Sequence, residues 1–393
     1  VPATDRILAI DWMRGLVMVL MAIDHASAAF NEGRVASDSW FLWAVGTELP
    51  KEQFLTRWIT HLCAPTFVFL AGTSLALSVA RRERAGQDAA TIDLRLLQRG
   101  GVLLLLELLW FSPLFYLTGA APCAVLQVLW VLGASFVAAI GFRRLPEPLV
   151  LLLGLGLLVG HEAFSEGVLD DPSWPVIGAV EALLLAPGFA WGGGADPRLF
   201  VLYPLVPWVA MMMLGWTLGR ALLRRPVTAT ARRDDDGRLG LDVQLVVWGL
   251  AGLALFVFVR DVNDYGNFRL VRDGAGLLEW LHVSKYPPSL SFAALELGIM
   301  AILLGLALRW EASASTPPSR DRPLLVFGQA ALFFYVVHIH ALELSAFLLG
   351  MQRASGLGVT FLAAALLLLV LYPACRWFRA RKAPDGSGLL RWL

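Results

Sequence analysis

The stretch DWMRGLVMVLMAIDHASAAF, residues 11–30, is apolar through its middle and long enough to cross a bilayer, yet it carries Asp11, Arg14, Asp24 and His25. A helical span needs about 20 mostly apolar residues. Each ionisable group at bilayer depth costs a few kcal/mol or more, so such groups face protein or a hydrated cavity and mark function by default. The run GLVMVLMAI followed by ASA also mimics a signal peptide. Asp5 and Asp11 offset Arg6 and Arg14 there, so the basic leader such a peptide requires is missing. The stretch therefore reads as a true span.

The rest of the chain supports that reading. It has 393 residues, 58% hydrophobic and only 16% charged, with a mean hydropathy of +0.66. Soluble domains run near 45–50% apolar and about 25% charged. The formal net charge of +1 gives no basic field for nucleic acid. Many of the 15 Trp lie near the ends of apolar runs, as Trp12, Trp40, Trp58, Trp174 and Trp208 do, which is where interfacial belts form. Cys63, Cys123 and Cys375 are far apart and show no disulfide or metal spacing. The expectation is an all-α polytopic membrane protein, 1–393 as one domain.

Ten spans are expected, at about 8–30, 55–80, 98–119, 122–142, 148–164, 200–222, 243–260, 289–308, 323–348 and 356–378. Most Lys and Arg then fall on one side, among them Arg81, Arg82, Arg84, Arg143, Arg144, Arg220, Arg224, Arg232, Arg233, Arg376 and Arg379. The positive-inside bias places that side, and both termini, in the cytoplasm. The segment PVIGAVEALLLAPGFAW, 175–191, is short and holds Glu181. It reads as an interfacial or re-entrant helix on the outer side. The polar loop 224–239 reads as a mobile connection.

Depth then sorts the polar groups. Arg14 and His25 are eleven residues apart, three turns, on one stripe and about 16 Å apart along the axis. Arg14 and Asp11 lie near the inner leaflet, where Arg99 at the start of the third span joins them. Arg57 and His61 share one face near the outer end of the second span, which Pro65 should kink. Lys285 and Tyr286 lie in the outer segment SKYPPSLSF, and the ninth span brings His338, His340 and Glu343 to the outer half. Structural readings stand beside the functional ones: Asp11–Arg14 as an ion pair, His61 and His340 as interhelical hydrogen-bond donors, Arg57 and Lys285 as snorkelling anchors. There is no HExxH or His-x3-His pair, and His338 and His340 point to nearly opposite faces, so no metal is expected.

An Arg, ten residues and a His on the first span resemble the motif of the membrane acyltransferase-three proteins. The fuller set RILAIDWMRGLVMVLMAIDH, RWITHLCAPTFVFLAGTSLAL, YPLVPWVAMMMLGWTLG, KYPPSLSF and LFFYVVHIH, from about residue 6 to 345, resembles the bacterial heparan-alpha-glucosaminide N-acetyltransferase-like membrane proteins. The resemblance implies transfer of an acyl group, acetyl above all, from cytosolic acyl-CoA (acetyl-CoA) to an extracytoplasmic small-molecule or glycan amine or hydroxyl, in a bacterial inner membrane. The family's loop histidine falls near Lys51 in this chain, where no histidine stands.

On this reading His25 is the base or nucleophile, with Asp24, His61 and His338 as the other catalytic candidates. Arg14, Arg99 and Asp11 hold the donor, and Arg57, Lys285 and Tyr286 meet the acceptor. Asp24 points about 100° from His25, so a partner from the second or ninth span should orient the ring. The partners expected are the bilayer, acyl-CoA and the acceptor; a homo-oligomer is left open. A transporter or flippase for a polar or amphipathic solute is the alternative, and a structural or sensory membrane protein is a third.

Overall fold

The computed structural model describes residues 6–169, 175–193, 196–224, 239–314, 319 and 321–381. Arg225, Arg232, Arg233, Arg238, Arg320, Lys382 and Arg391, and most of the polar loop 224–239, lie outside the described residues. Among those described, nine helices are long and apolar enough to cross a membrane, and Val128–Phe142 is a shorter apolar helix. The chain is an all-α polytopic membrane protein.

Helix α1 (Leu8–Phe30) is the spine. It packs against α3 (Cys63–Arg84), α12 (Leu290–Ser313), α13 (Pro323–Gln329), α14 (Ala331–Leu348) and α15 (Leu357–Arg381). That surrounding answers the question its composition raises: its polar groups face other helices. The backbones of α1 and α13 touch. A Cβ on Gly15 would stand 1.8 Å from the Leu324 carbonyl oxygen, and one on Gly328 1.8 Å from that of Asp11. Small residues at such crossings allow close van der Waals packing between membrane helices. Gly15→Ala should therefore push α13 away and destabilise the protein by about 1–3 kcal/mol, the range for overpacking. A lowered unfolding midpoint in detergent checks this.

The second span is a continuous stretch from Lys51 to Arg84. It comprises α2 (Lys51–Ile59), a tight 3₁₀ turn over Thr60–Leu62 and α3. Pro65 lacks the N–H that would bond the His61 carbonyl, so the helix readjusts just before it. The third span joins α4 (Ala89–Leu106) to α5 (Ser112–Leu117) through a π-helical segment, Glu107–Phe111. Pro113 again removes a helix donor, and the Ser112 hydroxyl donates to the Glu107 carbonyl at 3.2 Å.

The fourth span differs from the expected 122–142. Its first residues form β1 (Ala124–Leu126), and α6 begins only at Val128. The segment 175–191 is helical as α8 (Pro175–Leu184), but its end turns into β2 (Gly188–Gly193). Strand β2 pairs antiparallel with β3 (Asp196–Val201), which pairs parallel with β1 in the register Val125↔Phe200. Pro187–Gly188 ends the helical run, and the apolar residues beyond it find partners across a sheet. Helices α7 (Glu147–Leu169), α9 (Leu205–Arg224), α10 (Leu241–Val262) and the short α11 (Leu277–Leu281) complete the described elements.

Candidate functional site

A cavity of about 350 Å³ opens at the His25 end of the bundle. Helix α1 contributes Asp24 and His25, the α1–α2 loop Arg34 and Asp38, α2 Arg57, and α14 Glu343. Gln127, Tyr203, Tyr286 and Arg353 complete its polar wall.

His25 meets His338 of α14. Its Nδ1 lies 2.6 Å from His338 Nε2, and the two rings stack with centroids 4.8 Å apart. The far nitrogen of His338 settles the proton order. Nδ1 of His338 lies 3.0 Å from the Phe334 carbonyl and 2.8 Å from the Tyr335 carbonyl. Carbonyls only accept, so that nitrogen carries the hydrogen. With both rings neutral, His338 Nε2 must then accept from His25 Nδ1–H. That leaves the lone pair on the remaining nitrogen, Nε2, of a residue that lines the cavity.

Asp24 does not orient His25. Its Oδ1 accepts from Arg34 at 2.9 Å, from Arg57 at 2.6 Å and from the Thr60 hydroxyl at 2.9 Å. Arg57 forks between two carboxylates, donating through Nε and Nη2 to Asp38 at 2.9 and 2.5 Å. His61 Nε2 reaches the same Asp38 oxygen at 3.1 Å. Burial pushes the Asp38 carboxyl up, but the Arg57 charge, the His61 hydrogen bond and the nearby Lys285 pull it further the other way. It is held well below the ordinary carboxylate range.

The closure of the α1–α2 loop brings these groups together. The Lys285 N–H donates to the Asp38 carbonyl at 2.8 Å, and the Ser39 hydroxyl donates to the Tyr286 carbonyl. The α1–α2 loop is thus fastened to the segment before α12. Tyr286 faces the cavity, with its hydroxyl 3.4 Å from that of Tyr203. Lys285 is buried behind it, its ammonium 5.2 Å from the Tyr286 ring centre. His61 is also buried, behind Arg57 and Asp38.

The other end of α1 is separate. Arg14 donates to the Leu70 carbonyl at 3.2 Å and to the Ser74 hydroxyl, and stands 3.8 Å from Asp11. Asp11 is buried and engaged by Arg6 and by Gln329 at 3.3 Å. Arg99 lies over the Phe136 ring at 5.5 Å, close enough for its charge to act on Arg14. Arg82 adds a further cation there. So the structure unites His25, Asp24, Arg57 and Tyr286 around one cavity, puts His338, His61 and Lys285 behind it, and holds Arg14, Asp11 and Arg99 at the opposite end.

Sequence reasoning passed over Asp38, Arg34, Tyr203 and Arg353. Asp38 carried one signal, a carboxylate inside the run SDSWFLW between two spans. His340 lies elsewhere, its ring tilted against that of Trp110 with centroids 4.5 Å apart. Among the described residues no group of three or more His, Cys, Asp or Glu converges as a metal site would.

The family model described as heparan-alpha-glucosaminide N-acetyltransferase, catalytic, matches residues 6–258, more than half of the chain. No curated protein matches it.

Proposed function

The chain belongs to the heparan-alpha-glucosaminide N-acetyltransferase catalytic family, and we propose that it moves an acyl group, acetyl above all, from cytosolic acyl-CoA to an extracytoplasmic amine or hydroxyl, with a glycan as the acceptor class. The observation that carries this reading is the His338–His25 contact on a residue that lines the cavity; with both rings neutral, the carbonyl contacts of His338 leave His25 Nε2 unprotonated. A general base must be able to reach the proton it abstracts. The acceptor nitrogen or oxygen attacks the thioester carbonyl while His25 Nε2 takes its proton. The C–S bond then breaks, and the departing thiolate receives that proton back from His25. His338 is the positioning residue that fixes the His25 tautomer. Tyr286, Tyr203 and Arg34 offer polar contacts to the acceptor. Arg57, Asp24 and Asp38, which satisfy one another, hold the wall in place with His61 and Lys285 behind them.

The donor end is the Arg14 end. Arg99 and Arg82 have no carboxylate within ion-pair distance among the described residues, which suits phosphate groups. Asp11 positions Arg14 there. The cationic ends of α3, α6 and α9 lie on the same side, and the positive-inside bias favours the cytoplasm for it and for both termini. The distance from Arg14 to His25, about 16 Å along α1, is comparable to a pantetheine arm. Arg14→Gln is expected to weaken acyl-CoA binding by about 1–3 kcal/mol, the scale of a charged hydrogen bond. Unchanged affinity by calorimetry would reduce Arg14 to a tie between α1 and α3.

Proteoliposomes holding labelled acetyl-CoA on the Arg14 side and a panel of amines and hydroxyls on the other test the whole reading. Label should pass to an acceptor. A protein that moves no label and binds no CoA would be a transporter or flippase instead.

A further inference from the structure

We propose that the acceptor is an amphipath resident in the outer leaflet: a polar head that carries the amine or hydroxyl, an anionic group beside it and an apolar tail. The inference rests on the acyltransferase reading and names the substrate class of its site.

The mouth of the cavity carries the argument. Phe41 and Leu42 line the same space as His25, and they are 38% and 55% exposed. They belong to the run WFLWAV, residues 40–45, whose last residue, Val45, is 77% exposed. This run is fastened at both ends. Ser39 bonds the Tyr286 carbonyl, and the Gly46 N–H donates to Asp273 at 2.8 Å. A fixed, solvent-facing apolar run would be unfavourable in water but suits a bilayer interface, where Trp and its apolar neighbours collect. The cavity therefore opens at the level of lipid, with an apolar sill at its entrance.

Depth agrees. His25 lies five residues before the end of α1 at Phe30, about 7.5 Å down the helix axis. The head of a molecule anchored at the interface reaches that level without leaving the membrane.

The head-group chemistry comes from two side chains the mechanism does not use. Glu343 lines the cavity and is 6% exposed, with Oε2 unpaired. A buried polar atom without a partner calls for one, and a hydroxyl or amine hydrogen of the acceptor supplies it. Arg353 also lines the cavity and forms no ion pair with any described residue. Its backbone is fixed, since its N–H donates to the Ala29 carbonyl at 2.9 Å. A guanidinium at the rim, near enough for its charge to reach Glu343 but outside ion-pair distance of any described carboxylate, matches a phosphate or carboxylate on the incoming molecule. A free, tailless glycan would leave the Phe41–Leu42 sill without a role.

The test compares three acceptors in proteoliposomes supplied with labelled acetyl-CoA: glucosamine, an octyl glucosaminide, and an octyl-chain glucosaminide bearing a phosphate. For the native protein, kcat/KM should rise at least about tenfold from the first to the second and rise again for the third. Burial of a single methylene contributes about fourfold (~0.8 kcal/mol), so even a few buried methylenes reach that ratio. Phe41→Ser with Leu42→Ser should cut the octyl-to-free ratio at least about fivefold, and Arg353→Gln should erase the preference for the phosphate. These side chains are surface-exposed, so the fold is not at stake. Equal kcat/KM for free and octyl acceptors would overturn the inference and leave the acyltransferase standing. A tail preference untouched by the Phe41/Leu42 variant would assign it to partitioning into the bilayer and overturn the inference too. No transfer to any of the three, with no CoA binding, would remove the acyltransferase reading and this inference with it.

Discussion

His25→Ala should transfer acyl groups at least about 10²-fold more slowly than the native protein while folding and binding acyl-CoA nearly normally. Removal of a general base typically costs about 10² to 10⁴ in rate, and a loss in kcat with an unchanged donor affinity marks an interaction made only in the transition state. His25 is half-buried and, among the described residues, its one side-chain hydrogen bond is to His338, so its removal leaves no ion unpaired. Two companion variants separate chemistry from positioning. His338→Ala deprives His25 Nδ1–H of its acceptor and should slow transfer by less than His25→Ala. His338→Gln offers a carbonyl oxygen near the former Nε2 and should recover part of that loss. His61→Ala should act on stability, because His61 is buried behind Asp38 and away from the cavity. Full turnover in His25→Ala would end its assignment as the base. If His338→Ala and His338→Gln were equally slow, His338 would not act through the tautomer.

Much of this was legible in the chain, and the rest was hidden for physical reasons. Hydropathy and length identify the spans, because a bilayer imposes both on any helix that crosses it. The readjustment before Pro65 is likewise local chemistry. Helical spacing places Arg14 and His25 on one stripe and gives each polar group a depth. It does not give the direction in which one helix faces another. The contact between His25 and His338 joins residues 313 positions apart and arises from how α14 packs on α1. Asp38 and Arg34 were hidden differently. They lie in a connecting loop, where periodicity carries no information, and their role exists only because the loop folds back over Arg57. The small sheet was missed because apolar runs such as AVL and GFAW read equally as helix until their neighbours pair with them.

Arg57→Ala should cost about 3–5 kcal/mol of stability at neutral pH, the scale for breaking a buried ion pair by removing one partner. The argument lies in what is left behind. Arg57 is 6% exposed and bridges Asp24 and Asp38, whose side chains are 12% and 4% exposed. Asp24 would keep Arg34 at 2.9 Å, whereas Asp38 would keep, among the described residues, only the His61 hydrogen bond and the field of Lys285. Arg57→Lys should fall between the two proteins, because one ammonium cannot reproduce a planar fork that serves two carboxylates. The pH dependence gives the sharper test. In the native protein the Asp38 carboxyl is held below its ordinary range. Its contribution is therefore complete above the unfolded value of about 3.9 and is lost as the pH falls through the lower folded value. Without Arg57, burial acts with less opposition and favours the protonated carboxyl. Between pH 7 and 4 acid then relieves the variant of an unpaired charge, while the native bridge stays intact until the pH falls below the unfolded value. The gap between the unfolding free energies of the two proteins should narrow as the pH falls from 7 toward 4, and denaturant unfolding in detergent measures it. A gap that stays constant across this range would mean that Asp38 does not depend on Arg57 for its charge, and that the two carboxylates are held by Arg34 and Lys285 instead.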